Sequence, residues 1–237
     1  MPNNKTVQSE IGGYISTVLR KHFGKGPTSV YVTINRPFIT IHFRGFLAPM
    51  EKLLVKQEEM KRVLETRDLM MLDLKPEIAL GIKETAGLEL KELYADWNLI
   101  KETGLIIGVM EEGSEDGKWA DDATKEALKK RIEEASQLAE KVPGNTEVYG
   151  LSDRVILVRR SEILVQIEKE LIKNGYVEEL KLTKRPLEHR VLGEVRLEEV
   201  LKRTISETFL DWNFETDVSY IVFLLEPEKD PESSSRY

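Results

Sequence analysis

The sequence predicts an α+β fold made of two tandem α-β-β-α-β-β units. Each unit is read as an antiparallel four-stranded sheet packed by a long helix, and the two are expected to dock as a pseudo-two-fold pair. Three observations carry this prediction. The rare tripeptide Asp-Trp-Asn occurs twice, at 96–98 and 211–213, each time followed by a polar turn and an apolar run ("DWNLIKETGLIIGVM" and "DWNFETDVSYIVFLL"). Other segments recur at nearly the same spacing. "TSVY" (28–31) falls on "TEVY" (146–149) and "RPFITIHFR" (36–44) on "RVILVRRSE" (154–162), both 118 residues apart. "MEKLLVKQ" (50–57) falls on "IEKELIKN" (167–174), 117 apart, and the tripeptides are 115 apart. Such a small drift in one direction marks a duplication with a few loop deletions. Finally, helical and alternating apolar periods follow one another in the same order in both halves.

In the first unit Ile11, Ile15, Val18, Leu19 and Phe23 recur at helical spacing and stop at Gly24-Lys25-Gly26-Pro27. Gly24, Gly26 and Pro27 read as a helix terminator; the segment lacks the following Lys-Ser/Thr of a phosphate loop and ends a helix instead of opening one. Strands follow at about 29–34 and 38–44, turning at Asn35-Arg36-Pro37. Alternation in "FITIHFR" puts Phe38, Thr40, His42 and Arg44 on one face, read as a solvated one, and Ile39, Ile41 and Phe43 on the other. From Pro49 a long helix runs with Leu53, Leu54, Met60, Val63, Leu64 and Met71 on its apolar side. Pro76 is expected to kink or divide it and Gly87 to end it. Strands at about 88–97 and 104–111 close the unit. The second unit repeats the order, with helices near 124–140, 163–180 and 190–202.

Pro49 suits the first helical position, and Glu51 two places later can accept from the N-cap amide. The N-cap, Ala48, has no oxygen to complete the box. Trp97 and Trp212 are expected to cap the core between sheet and helix, while the Asp and Asn of each tripeptide favour the turn that follows.

Charge and composition divide the 237 residues into unit one (1–110), an acidic linker (111–126, with 7 acidic and 2 basic residues), unit two (127–226) and an acidic, Ser-rich, disordered tail (227–237). The formal charge of −7 is concentrated in linker and tail, which argues against nucleic acid as a partner. With no cysteine, disulfides and thiolate chemistry are excluded, in keeping with a cytoplasmic setting. "MPNNKTVQSE" carries no secretory signal pattern. The longest apolar runs, Leu105–Met110 and Tyr220–Leu225, have strand length, so no transmembrane span is expected.

No catalytic constellation stands out. His22, His42 and His189 lack metal spacing, and neither a metal nor a cofactor is expected. Arg36, His42 and Arg44 form a candidate anion- or ligand-binding face. Glu51 is a candidate contact or base beside its capping role. Met70-Met71-Leu72 reads as core filling or as an adaptable partner surface.

"GKGPTSVYV", "FRGFLAPMEKLL" and "RDLMMLDLKPEIALGIKETAGLEL" together resemble the bacterial MpsC-type domain family. Gly24, Gly26, Pro27, Leu47, Pro49, Glu51 and Pro76 match its pattern. Ala48 stands where Thr is usual and Lys75 where Arg is common, and unit two has lost the Gly-x-Gly-Pro and Pro-x-Glu motifs. The resemblance implies association with a sodium-linked, membrane-potential-generating system tied to bicarbonate uptake. The expectation is a non-catalytic accessory or regulatory protein, cytoplasmic or peripheral at the inner membrane face, whose partner is a protein such as a membrane transport complex; further oligomers are open. The alternative is a small-molecule or anion sensor. The least favoured reading is a hydrolase with Glu51 or Asp96 as base.

Overall fold

The computed structural model describes residues 4–111 and 122–227; most of the segments read as linker and tail lie outside the described residues. Unit one runs α1 (Asn4–Phe23), β1 (Ser29–Asn35), β2 (Phe38–Arg44), α2 (Pro49–Lys56), α3 (Met60–Ala86), β3 (Leu90–Asn98) and β4 (Thr103–Met110). Unit two runs α4 (Asp122–Ala139), β5 (Asn145–Ser152), β6 (Val155–Ser161), α5 (Gln166–Lys173), α6 (Val177–Glu194), α7 (Leu197–Leu201), β7 (Ile205–Asn213) and β8 (Val218–Leu225). Each sheet is antiparallel, in the orders β1-β2-β4-β3 and β5-β6-β8-β7.

Helix α1 ends where its glycine demands it: Gly24 adopts φ +73°, a left-handed conformation that costs a β-carbon-bearing residue energy. The long helix expected from Pro49 is divided, but not at Pro76. The break falls at Gln57-Glu58-Glu59, where Glu58 takes φ +61°. Pro76 stays inside α3 on an exposed face, where the Leu72 carbonyl that loses its donor can turn to water. Unit two breaks at the corresponding place, Asn174-Gly175-Tyr176, so its middle helix is also two helices, α5 and α6.

The helices of each unit cover one face of its own sheet. Ile39, Ile41, Phe43, Ala95, Trp97 and Ile106 meet Ile11, Ile15, Met71, Leu74 and Ile78 in the first core. Val158, Leu210, Trp212, Ile221 and Phe223 meet Leu128, Ile132, Val191 and Leu192 in the second. Met70-Met71-Leu72 is split between roles: Met71 is core, while Leu72 faces solvent.

The opposite sheet faces pack on each other through Phe38, Tyr94, Leu105 and Ile107 from one unit and Leu157, Phe209, Tyr220 and Val222 from the other. This overturns the solvated face read for β2, since Phe38, Thr40 and His42 are buried between the sheets. The fold is thus helices, sheet, sheet, helices. Pairing also corrects the repeat's register in the second strands. Asn35 pairs with Phe38 across one turn and Ser152 with Val155 across the other, so the offset there is 117, not 118. The counterparts of His42 and Arg44 are therefore Arg159 and Ser161, not Arg160 and Glu162; a slip of one residue exchanges the two faces of a strand.

Candidate functional site

The doubled tripeptide lies where the units meet. Asp96 and Asp211 are buried at the seam between β3 and β7, and each reaches across it. Asp211 Oδ2 accepts from the Ala95 amide and Asp96 Oδ2 from the Leu210 amide, both at 2.9 Å. Ala95 and Leu210 occupy equivalent positions, so the two bonds form one reciprocal, pseudo-symmetric pair. Contrary to the expectation from sequence, the Asp residues therefore do not serve the turns; the Asn residues do, with Asn98 accepting from Lys101 N–H and Asn213 from Glu215 N–H and Thr216 N–H.

Helix α6 supplies the balancing charge. Arg185 lies 2.9 Å from both Asp68 and Asp96, and Lys181 lies 2.9 Å from Asp211 and 3.8 Å from Asp68. Burial raises the Asp96 pKa above the usual carboxylate range, with Arg185 opposing it. For Asp211 burial acts the same way, but Lys181 and Lys75 outweigh it and its pKa is lowered. The seam is held by charges that need one another.

Glu51 stands apart from it, at the start of α2. Its Oε2 accepts from the Ala48 amide at 2.8 Å, and its carboxylate takes two parallel 2.7 Å bonds from Arg67. The Arg67 guanidinium is 1% exposed and sits 4.3, 4.1 and 4.6 Å from the ring centroids of Phe23, Phe46 and Trp97. A planar cation buried among three rings gains attraction from their π faces, and the bidentate pair supplies its counter-charge. Trp97 packs in the first core. Ala48 has an extended N-cap conformation and no side-chain cap bond. Ala48→Thr is expected to raise unfolding free energy by about 1 kcal/mol, read from urea denaturation; no change would show the hydroxyl does not reach the helix amides.

Unit two keeps the pair but replaces its surroundings. At the same offset of 117, Glu168 and Lys184 stand for Glu51 and Arg67, 2.8 Å apart. Phe43, Met71 and Gly104 become Arg160, Glu188 and Ser219. Arg160 pairs with Glu188 and donates to Ser219 and Ser136 at 2.9 and 3.0 Å, while Trp212 Nε1 donates to Glu188 at 3.0 Å. The change at the glycine depends on the change at the ring. A β-carbon at Gly104 would come 2.6 Å from the Phe43 ring, so Ser is admitted only where the ring has gone.

Glu140 joins this network through Lys184 at 2.7 Å. Burial, reinforced by Glu168 and opposed by Lys184, pushes its pKa up to about 7 from 4.5. The protonated form is thus favoured by folding, and that stability is lost as pH rises through about 7. Glu140→Gln should therefore gain stability relative to the parent between pH 4.5 and pH 7. A difference in unfolding free energy that stays flat across that window would refute the assignment.

The residues proposed for ligand binding separate. His42 and Arg44 line a cleft of about 680 Å³ at one end of the inter-sheet interface, with Tyr31, Arg154, Ser206 and Leu224. Arg36 is exposed in the β1–β2 turn and Glu51 is in the ring cage, so neither belongs to it. His42 Nε2 lies 3.3 Å from Glu207 Oε1, and Thr103 donates to Glu207 Oε2. Burial works against ionisation of Glu207, yet His42 and Thr103 more than offset it and its pKa is lowered. Among the described residues no group of His, Asp and Glu is placed to hold a metal, and no helix is long and apolar enough to cross a membrane.

Sequence reading missed Arg67, Arg154 and Arg185. For Arg67 a signal existed: it falls on the buried stripe Val63, Met71, Leu74, Ile78, where a cation must find compensation. Arg154 and Arg185 act only across the fold, and no local pattern marks them.

Fold and seam define a fused pseudo-dimer of two related α+β units. The chain belongs to the MpsC family: the family model described as "Na+-translocating membrane potential-generating system (MpsC)" matches residues 3–112 and again 122–227. No curated protein and no solved structure matches the chain.

Proposed function

We propose that the protein is a non-catalytic accessory or regulatory component that docks, from the cytoplasmic side, on a membrane protein of a sodium-translocating, membrane-potential-generating system. The observation that carries this reading is the family match, found twice in a chain whose described helices cannot cross a membrane. A protein of that kind takes part in membrane transport by contact. Unit one offers apolar side chains for it: Met50 and Leu53 on α2 and Leu69, Leu72 and Leu80 on α3 are all about half exposed or more. The charged groups at the seam and in the two cores are engaged in holding the fold, which favours a structural role over a hydrolytic one for Glu51 and Asp96.

The test is a crosslinked pull-down of the tagged full chain from its own host with solubilised membranes. Membrane transport subunits should be recovered with the parent and lost with Leu53→Glu or Leu69→Glu, both surface changes that leave the core intact. Recovery of the protein alone would overturn the reading.

A further inference from the structure

The pseudo-two-fold that relates the units also relates two clefts at the inter-sheet interface, and comparing them singles one out. The first, about 680 Å³, contains His42, Arg44, Ser206, Leu224 and Glu226. The second, about 610 Å³, contains Arg159, Lys91, Val109 and Glu111, the counterparts of His42, Ser206, Leu224 and Glu226. In the second cleft the guanidinium and one carboxylate are already partnered: Arg159 donates to Glu147 at 2.6 Å, and the Tyr94 hydroxyl donates to Glu92. Burial and paired neighbours are what a structural site needs.

The first cleft is built differently. Among the described residues Arg44 makes no ion pair; its guanidinium lies over the exposed Tyr31 ring, 5.6 Å from the centroid. Arg154, which also lines the cleft, donates its Nε to the Leu225 carbonyl at 3.0 Å, and among the described residues it makes no ion pair. Buried His42 Nε2 has no hydrogen bond of good geometry, although Glu207 is 3.3 Å away. Two guanidinium forks with donors to spare are suited to a planar or tetrahedral oxyanion. Asp153 and Glu226 also line the cleft, so its charge is balanced and a polyanion is disfavoured. Tyr31, Val155 and Leu224 supply an apolar wall.

We propose that this cleft binds a small molecule carrying one carboxylate or phosphate group, which Arg44 and Arg154 hold while its apolar body lies against Tyr31, Val155 and Leu224. Arg44 comes from unit one and Arg154 from unit two, so the ligand bridges the units and favours their docked arrangement over any other. The site is separate from the apolar surface invoked for docking, and neither reading depends on the other.

The probes are benzoate and phenyl phosphate, with neutral benzamide as control, titrated into the ¹⁵N-labelled full chain at constant ionic strength. Saturable shifts should appear at Tyr31, His42 and Ser206 with benzoate, phenyl phosphate or both, and the better probe identifies the oxyanion. Arg44→Ala and Arg154→Ala should each weaken binding by about tenfold or more, whereas Arg36→Ala, outside the cleft, should leave it unchanged. Arg44 is exposed and unpaired, so its removal leaves the fold intact, which the amide spectrum checks directly. No saturable shift with either anion, equal binding of benzamide, or undiminished affinity in Arg44→Ala would overturn the proposal.

Discussion

Arg67→Ala is expected to lower unfolding free energy by about 4 kcal/mol, the largest effect of any single change in unit one. Removing one partner of a buried pair leaves the other uncompensated, which typically costs about 3–5 kcal/mol. Here Glu51 would also lose both its 2.7 Å bonds, and Phe23, Phe46 and Trp97 would face a void. Arg67→Lys should cost about 2 kcal/mol: an ammonium keeps the charge but can neither make the parallel pair nor lie flat against three rings. Unit two bears this out in its own sequence, since Lys184 serves there without a ring cage and with Glu140, Glu168 and Glu188 around it. Urea denaturation of the three proteins is the measurement. A loss below about 1 kcal/mol for Arg67→Ala would mean the cage collapses onto the gap and the cation is not what organises it.

The second large effect belongs to the seam. Asp96→Ala should cost about 3 kcal/mol, because it frees the Leu210 amide and strips Arg185 of one of its two carboxylates. Asp211→Ala should do the same to the Ala95 amide and Lys181. Hydrogen exchange reads the two apart: each variant should unprotect the amide on the opposite unit first. Because Asp68 touches both Arg185 and Lys181, the double variant should cost less than the two single losses added together. Unaltered exchange at Ala95 and Leu210 would show that these bonds do not hold the units together.

Much of the architecture was legible because it is written twice. Helix α1, the strand pairs and the placement of Asp-Trp-Asn at the ends of β3 and β7 follow from period and punctuation alone. The helix break was harder, since Gln57-Glu58-Glu59 contains neither Gly nor Pro. Its partner Asn174-Gly175-Tyr176 does, so the signal lay in the other copy. The β2 face was misread for a different reason. Thr40 and His42 look solvated by alternation, but they are buried against a second sheet, which no pattern within one strand can announce. The tripeptide's aspartates belong with it: a carboxylate before Trp-Asn reads as turn chemistry until the opposite unit is in place. Of the cleft, sequence supplied His42 and Arg44 through their shared face. Arg154 and Glu207 come from 112 and 165 residues after His42, and only the docking of the units brings them near.

The two units form one body, closed by the reciprocal bonds of Asp96 and Asp211. Amide ¹⁵N relaxation on the full chain tests this most directly. A single rotational correlation time is expected for β1–β4 and β5–β8, that of a particle the size of the whole chain. Two shorter times, each that of a unit tumbling alone, would contradict it.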